Sequence, residues 1–169
     1  DEGSLVLSGY HDGVFRSIDE GNTWEQANAG VRFWYPYGIV GGSKNRFSAL
    51  SSDSVYFSND AAATWTSHPS PGGHPNSVAI GKDGFLFLGT PRGVFKSGNE
   101  GATWTDISAS VGSPAVRSLA IDTVGAVYAL TDAKSILAST DNGTTWLIRT
   151  ALGLPSGTAS LLCGSGGFL

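Results

Sequence analysis

The chain has 169 residues, and its 10 Lys and Arg residues against 14 Asp and Glu give a formal net charge of −4. This balance excludes the basic stripe of a nucleic-acid-binding protein and the Lys/Arg runs that bind anionic membranes. No apolar run reaches the about 18 residues that a membrane-spanning helix needs. Only 14% of the residues are charged and 24 are Gly, a composition typical of an all-β domain with many tight turns.

One segment of eight residues recurs four times along the chain without gaps. It has the pattern Ser-x-Asp-x-Gly-x-Thr-Trp, and successive Trp residues are 41, 39 and 42 positions apart. The four copies are Ser17–Trp24, Ser58–Trp65, Ser97–Trp104 and Ser139–Trp146. A repeat of about 40 residues with strand-like content predicts a β-propeller in which each repeat is one blade of four antiparallel strands.

The last two repeats show these strands most clearly, as short β-prone runs separated by Gly- and Asp-rich turns. The strands predicted from them are Ser77–Ile80, Phe85–Leu88, Val94–Ser97, Thr103–Thr105, Val116–Ile121, Ala126–Leu130, Ser135–Ser139 and Thr145–Ile148. We expect a single domain over residues 1–169. Its blades are expected at about 1–31, 32–70, 71–110 and 111–150, with 151–169 as a closing strand or the start of a further blade.

The repeated segment is predicted to be a folding device. Its Asp can accept backbone hydrogen bonds from its own turn, its Gly can supply a positive φ, and its Trp is expected to fill the gap between the outer strands of the blade. Ala62 and Asn99 replace the Gly and the Asp in one repeat each. The predicted structural residues are Ser17, Asp19, Gly21, Trp24, Ser58, Asp60, Trp65, Ser97, Asn99, Gly101, Trp104, Ser139, Asp141, Gly143 and Trp146.

This segment resembles the Asp-box, or bacterial neuraminidase repeat. That box recurs in sialidases, sortilin-type receptors, xyloglucan-degrading propeller glycosidases and photosystem II assembly-factor propellers. The resemblance covers nearly the whole chain, and Gly13–Ser17 and Gly93–Ser97 are similar to the assembly-factor group. It implies the propeller fold, but not a function, because proteins with this fold do unrelated things.

Strand counting leaves the closure of the ring open. The first repeat begins at Leu5-Val6-Leu7, which matches the second strand of the other repeats, and 158–163 matches an innermost strand. This tail could complete the first blade of a four-blade ring, alone or with a second chain, since closure removes exposed sheet edges. Alternatively it opens a fifth blade of a larger ring.

The sequence gives only weak evidence for catalytic residues. Arg32, Arg92 and Arg117 could form the arginine triad that the resemblance to sialidases implies, but the Arg-Ile-Pro motif of that family is absent. A glycosidase needs two carboxylates that flank the sugar bond, and most acidic residues here fall in turns. His11, His68 and His74 lack metal-ligand spacing. We expect no metal, no cofactor and no catalytic residue.

The predicted ligand site is the face that carries the turns between second and third strands and the connections between blades, in analogy with other propellers. The run from Arg32 to Tyr37 is either a strand start that faces the core or an aromatic platform. The hypothetical binding residues are Arg32, Trp34, Tyr35, Tyr37, His11, Arg92 and Arg117.

The sequence therefore favours a non-catalytic binding or scaffold module for a protein or a carbohydrate. It is expected outside the cytosol, without a nucleic-acid partner or membrane insertion, and as a homo-oligomer or with further blades that complete the ring. The alternative is a fragment of a sialidase-like glycoside hydrolase, and a third reading is a purely structural repeat.

Overall fold

The structure, a computed structural model, describes residues 3–9, 12–32, 36–150 and 160–163. Apart from one 3₁₀ turn at Ala109–Val111, the regular structure of these residues consists of fifteen short β-strands. The strands form four separate sheets in which each strand pairs antiparallel with the next one along the chain. This arrangement is the blade pattern of a β-propeller and confirms the predicted fold class.

We call the sheets blades 1 to 4 in chain order. Blade 1 consists of β1 (Leu5–Gly9), β2 (Gly13–Ser17) and β3 (Glu25–Gln26), and blade 2 of β4 (Tyr37–Gly41), β5 (Phe47–Leu50), β6 (Ser54–Ser58) and β7 (Thr66–Pro69). Blade 3 consists of β8 (Ser77–Ile80), β9 (Leu86–Thr90), β10 (Gly93–Ser97) and β11 (Thr105–Asp106). Blade 4 consists of β12 (Val116–Ile121), β13 (Val127–Thr131), β14 (Ser135–Ser139) and β15 (Leu147–Thr150).

Blade 1 has three strands in the described residues, as predicted from the start of the first repeat. Its register matches that of the complete blades, because Leu5 pairs with Ser17 as Leu86 pairs with Ser97. The strands of blade 1 therefore correspond to the second, third and fourth strands of the other blades.

The outermost strands begin later than the sequence predicted. The strand expected at Thr103–Thr105 is Thr105–Asp106, and the one expected at Thr145–Ile148 is Leu147–Thr150. The reason is that the Thr of the repeated segment donates its backbone N–H to the carboxylate or amide of the turn. The turn thus extends through this Thr, and ladder pairing starts only after the Trp.

The hydrophobic core lies between blades. Phe87 and Val94 of blade 3 pack in one cluster with Val127, Leu137 and Trp146 of blade 4. Similar clusters join blade 1 to blade 2 and blade 2 to blade 3. Each internal blade therefore buries one face against its predecessor and one against its successor.

The predicted closing strand 158–163 lies partly outside the described residues. Ser160–Cys163 carry no strand pairing. The backbone N–H of Leu161 donates to Ser118 Oγ at 3.0 Å, and the N–H of Leu119 in β12 donates to Ser77 Oγ of blade 3 at the same distance. The tail therefore contacts the inner strand of blade 4 through the same kind of hydrogen bond that joins this strand to the inner strand of blade 3.

Candidate functional site

The repeated segment closes on itself through side chain–backbone hydrogen bonds. In the first copy Ser17 Oγ donates to Asp19 Oδ1 at 2.7 Å, and that oxygen accepts the N–H of Thr23 at 2.9 Å. Ser17 Oγ also accepts the N–H of Gly21 at 2.8 Å. The same three bonds occur in the other copies. These contacts support the predicted structural role of the segment.

The Gly position of the turn requires a left-handed backbone. Gly21, Gly101 and Gly143 have φ of 90°, 89° and 87°, and Ala62 has φ of 65°. Ala62 therefore keeps the turn at the energetic cost of a Cβ in this region, of the order of 1 kcal/mol. Its methyl group is fully buried against blade 1, where it adds to the packing.

Asn99 preserves the turn in blade 3 without a charge. Its Oδ1 accepts the N–H of Thr103 at 2.9 Å, and its Nδ2 donates to Thr103 Oγ1 at 3.0 Å. In the other three copies the Thr hydroxyl donates to the Asp carboxylate instead. An amide thus satisfies the same partners because the Thr hydroxyl can either donate or accept.

The hydrogen bonds of the turn stabilise the ionised carboxylates. Hydrogen bonds from the Thr23 side chain and backbone lower the pKa of Asp19 to about 2, and those from Thr145 lower the pKa of Asp141 to about 2. For Asp60, burial opposes the shift, but hydrogen bonds from Thr64 and Ser58 outweigh it and lower the pKa. These carboxylates are therefore ionised structural acceptors at neutral pH.

The Trp of the segment packs between blades, which corrects the expectation that it fills a gap within its own blade. Trp65 Nε1 donates to the carbonyl of Ala27 in blade 1 at 3.0 Å, and Trp146 Nε1 donates to that of Ile107 in blade 3 at 2.6 Å. Trp24 is exposed and donates to its own turn, at Gly21, over 3.1 Å. The indoles of Trp65 and Trp146 thus anchor their blades to the preceding blade.

The loop face is the end of the sheets that carries the turns between second and third strands and the connections between blades. Its turns and connections are joined by hydrogen bonds. The N–H of Ser70 donates to the carbonyl of Asp53 at 2.8 Å, and the N–H of Asp132 donates to that of Ala115 at 2.9 Å. These bonds tie the connections after blade 2 and before blade 4 to the neighbouring turns of the loop face.

Tyr37 is a predicted site residue whose side chain is held by hydrogen bonds and by ring stacking. Its hydroxyl lies 2.8 Å from the carbonyl oxygen of Pro75 and 3.0 Å from that of Ser51. The ring stacks on His74 with a centroid distance of 5.5 Å and an interplanar angle of 18°. Burial raises the pKa of Tyr37 to about 12, so the hydroxyl keeps its proton and remains a donor at neutral pH.

His74 is a candidate that sequence reasoning missed, because in the sequence it was considered only as a metal ligand. Its side chain is exposed on the ordered connection between blades 2 and 3, and its Nδ1 lies 3.1 Å from the Tyr37 hydroxyl. The flanking Pro71, Gly72, Gly73 and Pro75 could have indicated a rigid loop. The pairing with Tyr37, 37 residues away, has no signal in the sequence.

Arg92 lies on the turn next to this connection. Gly72 packs so tightly against Thr90 that a Cβ would collide with the Thr90 side chain. The N–H of Arg92 donates to Thr90 Oγ1 at 3.1 Å, while the Arg92 residue is exposed. Arg92 and the Tyr37–His74 pair therefore occupy adjoining loops.

The other predicted site residues are not gathered into one constellation. Arg117 is paired with Asp132 in a salt bridge of 2.6 Å, and Arg32 is exposed at the end of the connection that leaves blade 1. No described contact joins the guanidinium groups of Arg32, Arg92 and Arg117 into the triad that a sialidase would need. The predicted residues His11, Trp34 and Tyr35 lie outside the described residues.

Most of the described carboxylates serve in turns or ion pairs. Asp106 accepts hydrogen bonds from Ser108 and Ser113, and Asp122 accepts those from Val124 and Ala126. Glu25 pairs with Arg16 at 2.6 Å, and Glu100 accepts from Asn59 at 3.1 Å. In the described ranges no group of three His, Cys, Asp or Glu side chains could hold a metal ion. Within those same ranges no helix is long and apolar enough to cross a bilayer.

Comparison with known proteins identifies the fold of this chain but does not assign it to a family. No protein-family profile matches the chain, and no curated protein matches it either. Among solved structures, a GH74 xyloglucanase from Xanthomonas campestris is 20% identical with a TM-score of 0.65, over 87% of this chain and 23% of that one. A YCF48 bound to D1 peptide is 17% identical with a TM-score of 0.64, over 89% and 52%.

A virginiamycin B lyase from Staphylococcus aureus is 12% identical with a TM-score of 0.75, over 98% of this chain and 58% of that one. The chain thus spans between about a quarter and three-fifths of the length of these three structures. All of them are β-propellers, and they include enzymes as well as a binding protein. Identities below 25% carry no more than the fold, so the chain is a β-propeller of four blades whose family the comparisons leave unassigned.

Proposed function

We propose that this chain is a non-catalytic binding module that holds an extended segment of a protein ligand on its loop face. The observation that carries the proposal is the stacked Tyr37–His74 pair next to the exposed Arg92. Tyr and Arg are enriched among the residues that dominate binding energies. Here the aromatic pair is held in place by backbone carbonyls, so that little side-chain entropy is lost when a ligand packs on it.

The loop face favours a protein over a carbohydrate. Sugar hydroxyls both donate and accept hydrogen bonds, and three of the carboxylates that could accept from them on this face already have partners in the protein itself. Asp53 accepts from Ser54, Asp106 from Ser108 and Ser113, and Asp132 pairs with Arg117. By contrast, the Arg92 guanidinium and the His74 imidazole are exposed donors, which suit backbone carbonyls and carboxylates of a peptide.

A peptide is also the first ligand to test because of one structural neighbour. The YCF48 structure contains a D1 peptide, which is a property of that protein. The shared fold makes the same class of ligand a reasonable proposal for this chain, on the residues named above.

The test starts from a random peptide display library selected on the wild-type protein. Affinities of the enriched peptides are then measured by fluorescence anisotropy for wild type, His74→Ala and Arg92→Gln. We expect each variant to weaken binding about tenfold, as truncation of a binding hot spot does. Lys44→Gln is the matched control, because Lys44 is an exposed cation in the turn between β4 and β5, at the opposite end of the sheets.

Two results would contradict this function. If the enriched peptides bind all four proteins equally, the loop face is not their site. If the wild-type protein hydrolyses xyloglucan oligosaccharides and the activity survives in repeated preparations, the non-catalytic assignment is wrong and the glycosidase alternative gains.

A further inference from the structure

The outward faces of blades 1 and 4 are built like internal faces, but no other blade packs on them in the part of the chain that the structure describes. On blade 1, Leu5, Leu7 and Trp24 are 46%, 42% and 41% exposed. By register these positions correspond to Val127, Ala129 and Trp146 of blade 4, which are buried against blade 3. Blade 1 therefore presents the face that a preceding blade would bury.

Blade 4 presents the opposite, complementary face. Leu147 of β15 is exposed, and a groove of about 460 Å³ runs along Tyr128, Ile136 and Leu147 to Leu161. Tyr128 and Ile136 hold the positions that Phe87 and Val94 hold in blade 3, where both side chains pack on the next blade. The chain thus exposes both halves of one inter-blade joint.

The inner strands of the two end blades are complementary in the same way. Blade 1 lacks an inner strand in the described residues, while Leu161 donates to Ser118 as the inner-strand residue Leu119 donates to Ser77. The tail at 160–163 therefore lies where the inner strand of a following blade begins. A blade with three strands could accept this segment as its fourth.

We propose that a second copy of this chain occupies these faces, with blade 4 of each copy packed on blade 1 of the other in a closed two-fold ring of eight blades. Such a ring uses two identical joints, and closure leaves neither face exposed. In the structural comparison, 98% of this chain aligns on 58% of a lyase propeller, so its four blades match part of that ring. Four blades thus make an arc of a ring.

The contacts between blades within one chain predict the contacts between the two copies. At the joint between blades 3 and 4, the Ile107 carbonyl accepts from Trp146 and the Ile107 side chain packs against Gly143. At the joint between the two copies the corresponding residue of blade 4 is Arg149, and it meets Gly21 of the partner copy. Trp24 Nε1 then donates to the Arg149 carbonyl.

Charge supports the same pairing. Arg149 is exposed on the blade 4 face, and Glu20, directly before Gly21, is exposed on the blade 1 face. The joint between copies therefore brings Arg149 next to Glu20.

The test is the solution mass of the 169-residue chain by sedimentation velocity over a range of concentrations. We expect a dimer of about 35 kDa, twice the 17.5 kDa of the chain. Arg149→Glu places two like charges at the joint and should raise the dissociation constant about tenfold or more. The double variant Arg149→Glu/Glu20→Arg should restore the affinity, and Trp24→Ala should also dissociate the dimer.

Lys44→Glu is the matched control, because it makes the same change of charge in the exposed turn between β4 and β5, away from both faces, and should leave the dimer intact. A monomer at every concentration would overturn the proposal and leave the two faces to further blades or another partner. A dimer that ignores Arg149→Glu and Trp24→Ala would also overturn it, as would open polymers larger than a dimer. Circular dichroism of each variant checks that the blades remain folded.

Discussion

Trp24 and Trp65 occupy the same position in the same hydrogen-bonded turn, yet 41% of Trp24 and only 4% of Trp65 is exposed. The turns around them are alike, with a Ser hydroxyl and an Asp carboxylate in the same roles. What differs is the neighbour, since Trp65 packs on blade 1 and Trp24 has no preceding blade in the structure. The turn is therefore a local structure, and the stabilising burial of its Trp is supplied by another blade.

The largest expected effect contrasts the same substitution at an internal joint and at the free face. Trp65→Ala and Trp146→Ala should each lower the free energy of unfolding by about 3–5 kcal/mol, because a large buried side chain is removed. Trp24→Ala should cost less than about 1 kcal/mol in the monomer, since much of its indole is already in water. Urea unfolding at a protein concentration low enough for the monomer measures all three. Equal losses at Trp24 and Trp65 would contradict the comparison.

A second contrast compares two backbone N–H groups at corresponding positions, that of Val94 in blade 3 and that of Val14 in blade 1. Ser108 Oγ accepts the N–H of Val94 at 2.9 Å in a buried site, and Asn28 Oδ1 accepts the N–H of Val14 at 2.7 Å where water is nearer. Ser108→Ala leaves a buried donor unpaired and should cost about 1–3 kcal/mol. Asn28→Ala should cost less because solvent can replace the acceptor. Chemical denaturation that ranks the two variants the other way round would be inconsistent with this account.

Acid should weaken the turns that contain Asp and spare the one that contains Asn99. The pKa values of Asp19 and Asp141 are about 2 in the folded chain, below the 3.8 of an unperturbed Asp. A lowered folded pKa contributes stability that is present above about pH 4 and is lost as the pH falls towards 2. Asp141→Asn should therefore flatten the fall of Tm between pH 4 and pH 2. Thermal unfolding at neutral pH serves as the control. An unchanged fall of Tm between pH 4 and pH 2 would show that this turn does not contribute to the acid sensitivity.

The smallest expected effect tests the backbone of the turn. Ala61 has φ of 60°, and the corresponding residue of blade 4, Asn142, has φ of 61°. Asn tolerates the left-handed region better than Ala, so Ala61→Asn should raise the unfolding free energy by about 0.5 kcal/mol. Thermal unfolding in parallel with Ala63→Asn, a neighbouring position without a positive φ, separates the backbone effect from a surface effect. A lower Tm for Ala61→Asn would argue against strain at this position.

The loop face shows how far sequence reasoning reaches towards a site. Tyr37 and Arg92 could be named from the sequence because aromatic and cationic residues fall in a predicted connection and a predicted turn. The contact of Tyr37 with His74 and the pairing of Arg117 with Asp132 could not, because they depend on how separate loops pack side by side. Arg117 was proposed for a ligand, and the structure instead gives it a partner within the protein.

The repeat, the antiparallel blades and the turn that joins Ser17, Asp19 and Gly21 could all be derived from the sequence, since they depend on residues less than a repeat apart. Even the exceptions Ala62 and Asn99 could be assigned to the turn from local chemistry. The packing of each Trp and the exposure of the faces of blades 1 and 4 could be seen only in the folded chain. The physical reason is that burial belongs to pairs of blades, and the neighbours that bury a side chain lie about 40 residues away along the chain.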